Sequence, residues 1–195
     1  AAALAGSVNT VSLRDGLLSG STTDGLGVLM PLRRRIDPKG REVLILGAGG
    51  AARAAAFALS HRGAHVTVLA RRSEQASAVA QAADCAWGTL DSLHRRAWDV
   101  LVNATPVGSW PDSQESPVAT ALLRPGRVVF DMVYTPIETR LLREAAAAGC
   151  TVIDGLEMLV AQAAAQFESW TGLEAPVEAM REGALQELAR RGRAA

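Results

Sequence analysis

A short apolar run, Val43 to Leu46, leads directly into Gly47-Ala48-Gly49-Gly50-Ala51-Ala52, and an alanine-rich stretch follows to Ser60. This G-x-G-x-x-A spacing between a strand and a helix is suited to holding a diphosphate. Gly47 permits the tight turn, Gly49 lets the backbone approach the anion, and Ala52 is small enough for close helix–strand packing. The helix opening near Gly50 then offers unpaired N–H groups and the positive end of its dipole. About twenty residues on, where a carboxylate would bond the ribose hydroxyls of NAD, the chain reads Ala70-Arg71-Arg72-Ser73. Two guanidinium groups suit a 2′-phosphate and an acid would repel it, so NADP is the expected cofactor.

Such a loop works only if strands and helices alternate around it. The predicted strands are Val43 to Leu46, His65 to Leu69, Val100 to Val102, Val128 to Phe130 and Thr151 to Ile153. Helices are expected over Ala51 to Ser60, Ser73 to Ala83, and Glu138 to Ala148 closed by Gly149. Strands that are apolar throughout, separated by helices, imply a parallel sheet covered on both faces: a doubly wound α/β fold of Rossmann type. Ahead of it, Val8 to Leu13 and Leu17 to Ser21 flank Arg14-Asp15-Gly16, a hairpin turn signal. Asp24 to Ile36 reads as a helix stopped by Asp37-Pro38-Lys39-Gly40, and Leu156 to Trp170 and Pro176 to Arg190 as two long helices.

The chain has 195 residues, 49% hydrophobic and 21% charged, with no net charge. That balance argues against a surface built for nucleic acid or anionic membranes, and no apolar run approaches the ~20 residues of a membrane span. Ala1 to Leu4 lacks a basic leader and does not read as a signal peptide. Cys85 and Cys150 have neither metal-site nor disulfide-framework spacing, which points to a reducing, cytoplasmic setting. His61, His65 and His94 are scattered, so no metal is expected. Arg33-Arg34-Arg35 reads as a solvated helix face, and Trp87, Trp98, Trp110 and Trp170 as packing residues.

From about Gly6 to Gly172 the chain resembles the shikimate dehydrogenase family. The likeness rests on Val8-Asn9-Thr10, Thr23-Asp24-Gly25, the Gly47 to Ala52 loop and Asn103-Ala104-Thr105-Pro106. Further on it rests on Asp131 to Pro136, Asp154 to Leu159, and Gln162-Ala163-Ala164 with Gln166-Phe167 before Trp170. Two positions depart from the family pattern: Thr22 stands where Asn is common, and Ala70-Arg71-Arg72 replaces Asn-Arg-Thr while keeping its arginine.

The resemblance implies remnants of a second α/β substrate domain flanking the Rossmann sheet. On that division, residues 1–24 end the substrate domain, 25–153 form the NADP-binding domain, and 154–195 are helices returning to the substrate domain. It implies substrate contacts by Asn9, Asp24, Tyr134 and Gln162. It also implies cofactor contacts by Gly47, Ala48, Gly49, Gly50, Ala51, Arg71, Arg72, Ser73, Asn103, Thr105, Met132 and Gly155. Hydride would pass between substrate and nicotinamide while Asp24 and a lysine manage the hydroxyl proton. In the family that lysine and a carboxylate-binding serine pair precede the Val-Asn-Thr segment. Lys39, the one lysine here, lies in a turn and does not replace it. The expectation is therefore a fragment, nearly inactive by itself, of an NADP-dependent enzyme of the shikimate pathway of aromatic amino-acid synthesis. It would act on small molecules as a monomer or homodimer. A quinate-active relative and a non-catalytic NADP- or shikimate-binding sensor are the alternatives. Plain structural roles stand beside each assignment: a turn for Asn9, a helix N-cap for Asp24, a packed loop for Tyr134 and an amphipathic helix position for Gln162.

Overall fold

The computed structural model describes residues 6–192; Ala1 to Leu4 lies outside them. Six parallel strands form the central sheet: β3 (Glu42–Leu46), β4 (His65–Ala70), β5 (Ala86–Thr89), β6 (Val100–Asn103), β7 (Val128–Asp131) and β8 (Thr151–Ile153). Their spatial order is β5-β4-β3-β6-β7-β8. Counted from β3, this is the 3-2-1-4-5-6 order of a doubly wound fold. The direction of winding reverses between β3 and β6, which opens a crevice at their C-terminal ends.

Alternate strand residues feed two separate cores, which is why the strands read as continuous apolar runs. Val43, Ile45, Val66, Val68, Val100, Val102, Phe130 and Ile153 pack with α1 (Asp24–Arg33), α2 (Gly50–Ser60) and α3 (Ser73–Ala83). Leu44, Leu46, Leu69, Leu101 and Val129 pack on the other face with Leu93, Trp98, Val118, Leu123 and α4 (Arg140–Ala147). The edge strand β5 was not expected from the sequence. It has four residues, Ala-Trp-Gly-Thr, and three of them are exposed, so it carries neither a buried run nor an alternation.

Outside the sheet, β1 (Thr10–Arg14) and β2 (Leu17–Ser21) pair antiparallel, with Arg14 opposite Leu17. Asp15 and Gly16 turn the chain with φ of 50° and 76°, the double positive φ of a two-residue hairpin. The first strand starts at Thr10 rather than Val8. Helix α1 ends at Arg33, three residues before the expected Ile36, and α4 starts at Arg140 because Thr139 caps it, accepting from the Leu142 amide. Helices α5 (Gly155–Thr171) and α6 (Val177–Gly192) complete the chain. Asp154 caps α5 by accepting from the Glu157 amide at 2.9 Å.

Of the four tryptophans only Trp98 packs inside, with Arg127 over its ring at 5.4 Å. Trp87, Trp110 and Trp170 are each 45% or more exposed, which corrects the packing expectation for them. Arg33 to Arg35 are exposed, but Arg35 also grips the Glu157 carboxylate with both terminal nitrogens, at 2.7 and 2.8 Å.

Candidate active site

Two groups of residues answer to the expected site, the first of them at the C-terminal edge of the sheet. The first is the glycine loop. Gly47 has φ of 110°, and a Cβ there would stand 2.7 Å from the Ala104 carbonyl oxygen, so backbone geometry and packing both require glycine. Gly49 is different. Its backbone is extended and a Cβ would meet no atom within 4 Å. Nothing in the protein itself needs glycine there, and the open space above it suits an approaching ligand. Helix α2 begins at Gly50 with no side-chain cap and no acid in its first turn. Its first amides are left for an anion.

From this loop a cleft of about 600 Å³ runs past Ala70, Arg71, Arg72 and Gln75 on one side and Ala104 to Val107, Ser109 and Trp110 on the other. Arg71 and Arg72 are exposed, and no salt bridge holds either of them among the described residues. Arg72 occupies the N-cap position of α3 without a side-chain cap bond, so amides of α3 face the same corner. Ser73, the first residue of α3, bonds its hydroxyl to the Glu74 carboxylate at 3.3 Å.

Asn103 lies below the cleft surface. It is 0% exposed, and its polar atoms are spent inside the protein. Its Nδ2 donates to Asp131 at 2.9 Å and to the Val107 carbonyl at 3.2 Å, while Oδ1 accepts from the Thr105 amide and hydroxyl. It braces Thr105, which does line the cleft. Asp131 beneath it also accepts from the Val133 amide and the Thr139 hydroxyl. Burial nonetheless pushes the Asp131 carboxyl above its ordinary range, against the pull of those three hydrogen bonds. Met132 is half-buried at the end of β7. A Cβ on Gly155 would fall 2.5 Å from both the Met132 and Val133 carbonyl oxygens, so glycine is what lets α5 start against that loop.

The second group gathers Asn9, Asp24 and Gln162. Asn9 Nδ2 donates to Asp24 Oδ1 at 2.6 Å, and Gln162 Nε2 donates to the same oxygen. Asp24 is not the N-cap of α1: Thr23 holds that position, and the Asp24 side chain turns to the two amides instead of the helix backbone. Two glycines of α1, Gly25 of the Thr23-Asp24-Gly25 motif and Gly27, make this meeting possible. A Cβ on Gly27 would stand 2.6 Å from Gln162 Cγ and 3.1 Å from the Met158 carbonyl, and one on Gly25 would stand 3.1 Å from Ala58 Cβ. Helix α1 is thereby wedged between α5 and α2. Tyr134 stands apart on the loop after β7, 44% exposed, with no hydrogen bond to this cluster. Lys39 lies in the turn before β3, where the neighbouring Gly40 amide bonds Gly63, at the sheet edge opposite the glycine loop.

A model of the shikimate 5′-dehydrogenase C-terminal domain matches residues 155–185, and an NAD(P)-binding model matches residues 35–166. The NADP-dependent shikimate dehydrogenase of Methanopyrus kandleri is 45% identical over 201 residues, covering 96% of this chain and 69% of that protein. The chain belongs to the shikimate dehydrogenase family. Among solved structures, a shikimate dehydrogenase in complex with NADP+ superposes with a TM-score of 0.89 at 36% identity, over 96% of this chain and 69% of the other. Shikimate 5-dehydrogenase of Thermus thermophilus, in complex with NADP(H) and shikimate, gives 0.84 at 41% identity, over 97% and 70%.

The glycine loop of this family member fits a dinucleotide. The open face of Gly49, the uncapped start of α2 and the free arginines line one continuous cleft. No helix among the described residues is long and apolar enough to cross a membrane.

Proposed function

We propose that this chain carries the NADP-binding unit and one wall of the substrate site of a shikimate dehydrogenase, the enzyme that interconverts 3-dehydroshikimate and shikimate. The observation that carries the reading is the Asn9–Asp24–Gln162 cluster, in a chain whose diphosphate-type loop opens on a cleft that presents two arginines in place of a carboxylate. NADP, when bound, supplies the carbon centre that accepts or returns the hydride.

The remaining work falls to side chains of the chain. Asp24 Oδ1 is held by two amide donors, while Oδ2 takes no hydrogen bond from the described residues. That second oxygen is the one to receive a substrate hydroxyl and its proton. Asn9 and Gln162 orient the carboxylate and read neighbouring hydroxyls, since short amides hydrogen-bond a polyol with good geometry. Tyr134 is assigned to the opposite wall. Thr105, Met132 and the backbone of Gly155 close the nicotinamide end, and Arg71, Arg72 and Ser73 the 2′-phosphate end. We divide the chain accordingly into the end of a substrate domain (1–24), an NADP domain (25–153) and helices returning to the substrate domain (154–195). The enzyme is read as cytoplasmic, working as a monomer or homodimer.

The test is oxidation of shikimate by the complete protein, followed by NADPH absorbance, with quinate and NAD in parallel. Rapid turnover of shikimate with NADP is the expected result. A preference for quinate with NAD would move the assignment to quinate dehydrogenase, and NADP binding without turnover of either substrate would leave a sensor.

A further inference from the structure

We propose that Thr10 and Gln166 are positioning residues that fix the orientation of the Asn9 carboxamide and, through it, the Asp24 carboxylate. The inference rests on the reading that Asn9 and Asp24 contact substrate. A carboxamide has nearly the same shape in its two flipped orientations, so its hydrogen-bond neighbours decide which edge donates. Here the decision is made from behind. Gln166 Nε2 donates to Thr10 Oγ1 at 3.2 Å and to the Asn9 carbonyl oxygen at 3.3 Å. A hydroxyl that accepts one such bond still has its single proton to give, and Thr10 Oγ1 lies 2.7 Å from Asn9 Oδ1. The Thr23 amide donates to the same Oδ1 at 3.0 Å.

Both lone pairs of Oδ1 are thus filled by donors, and Nδ2 is left to face Asp24 at 2.6 Å and Thr23 Oγ1 at 3.1 Å. The flipped carboxamide would set an oxygen against the Asp24 carboxylate and an NH₂ against the Thr23 amide. Thr10 is only 1% exposed, so its hydroxyl has no solvent to turn to and the relay stays dry. Gln162 and Gln166 lie one turn apart on α5 and share a face. The first holds Asp24 directly. The second holds it through Thr10 and Asn9, so α5 sets both ends of the substrate-reading pair.

The test compares Thr10→Val, Thr10→Ser, Gln166→Met and Gln166→Glu in the complete enzyme. Thr10→Val and Gln166→Met are expected to raise KM for shikimate about five- to tenfold, the effect of losing one net hydrogen bond. KM for NADP should stay within about twofold, the range of a neutral substitution. Thr10→Ser restores the hydroxyl and should recover the wild-type KM. Gln166→Glu should exceed Gln166→Met, because a carboxylate accepts the Thr10 proton and turns it away from Asn9. Gln166 is only half-buried, so its variants keep the test intact if Thr10→Val does not fold. Unchanged KM for shikimate, equal changes in both KM values, or no rescue by serine overturns the relay. Asn9→Ala and Asp24→Asn run alongside: if they also leave shikimate turnover intact, the functional reading has failed, whereas if they abolish it the relay alone has failed.

Discussion

Arg71 and Arg72 line the cofactor cleft with no carboxylate bonded to either among the described residues, so their charge is available to a ligand. A charge-assisted hydrogen bond is worth about 1.5–3 kcal/mol, and tenfold in affinity corresponds to about 1.4 kcal/mol. Arg71→Ala is therefore expected to weaken NADP roughly ten- to a hundredfold and to change NAD by about twofold at most, as titration calorimetry with both nucleotides would show; equal losses would remove the basis for cofactor choice. Asp131 makes a second prediction. Its carboxyl is raised above the ordinary aspartate value of 3.8 because burial disfavours its charged form. A raised folded value means that the native state holds the proton more tightly than the unfolded chain. The contribution to stability is full below 3.8 and is lost as pH rises through the folded value. The stability gap between the wild type and Asp131→Asn, read from urea midpoints, should then be widest in acid and narrow toward neutrality; a gap that widens with pH contradicts this. At this scale the sequence made the glycine loop legible, since the positive φ of Gly47 and the open face of Gly49 are what its spacing implies, while the ligand contacts of Arg71 and Asp24 are proposals. The sequence did not reveal that the Asn103 side chain is buried, because the motif position is the same whether that side chain faces a ligand or the interior. Gln166 and Thr10 had no visible role because their action passes through a third residue.

Among the elements, the strands that cross two cores were legible because burial on both faces writes itself as an unbroken apolar run, as in Val43 to Leu46. Strand β5 was not, since its partner β4 covers one edge only and its residues are exposed. The packing of α1 was equally hidden. The sequence assigned no packing role to Gly25 or Gly27, yet their missing side chains let α1 lie against α2 and α5. The consequence can be measured with a matched pair. Gly27→Ala forces a methyl to 2.6 Å from Gln162 Cγ and 3.1 Å from a backbone oxygen, and overpacking of that kind costs about 1–3 kcal/mol. It should also raise KM for shikimate by displacing Gln162 from Asp24. Gly183 lies inside α6 with nothing within 4 Å of its Cβ position. There alanine should stabilise by about 0.5–1 kcal/mol through backbone entropy alone and leave kinetics unchanged. Chemical denaturation of both variants decides it, and a neutral Gly27→Ala would mean that the α1–α5 approach has slack.

For the molecule as a whole, the proposed reading gives cofactor recognition and substrate chemistry largely to different parts of the chain. The residues that line the cleft beside the glycine loop fall between Gly47 and Pro117, inside the doubly wound sheet with its two buried cores, and only the proposed nicotinamide contacts Met132 and Gly155 lie beyond them. The β1–β2 hairpin that presents Asn9 leaves Val8, Val11, Leu13, Leu17 and Leu18 each more than half exposed, so little apolar burial holds it in place. Cofactor binding should therefore depend on the sheet alone and survive in the 195-residue polypeptide. A ligand that binds only the folded state stabilises it by RT ln(1 + [L]/Kd), about 2.7 kcal/mol at a hundredfold excess over Kd. For a chain of this size each kcal/mol moves the melting temperature by about 2–4 °C. NADP at that excess should thus raise Tm by roughly 5–10 °C, with NAD at the same concentration giving a clearly smaller shift. Shikimate added without nucleotide should give the smallest of the three, because one of its proposed contacts, Asn9, is carried by the exposed hairpin. Differential scanning fluorimetry across the three ligands provides the comparison. If shikimate alone shifted the transition as far as NADP, the hairpin would have to be as firmly seated as the sheet, and the separation of the two tasks along the chain would be wrong.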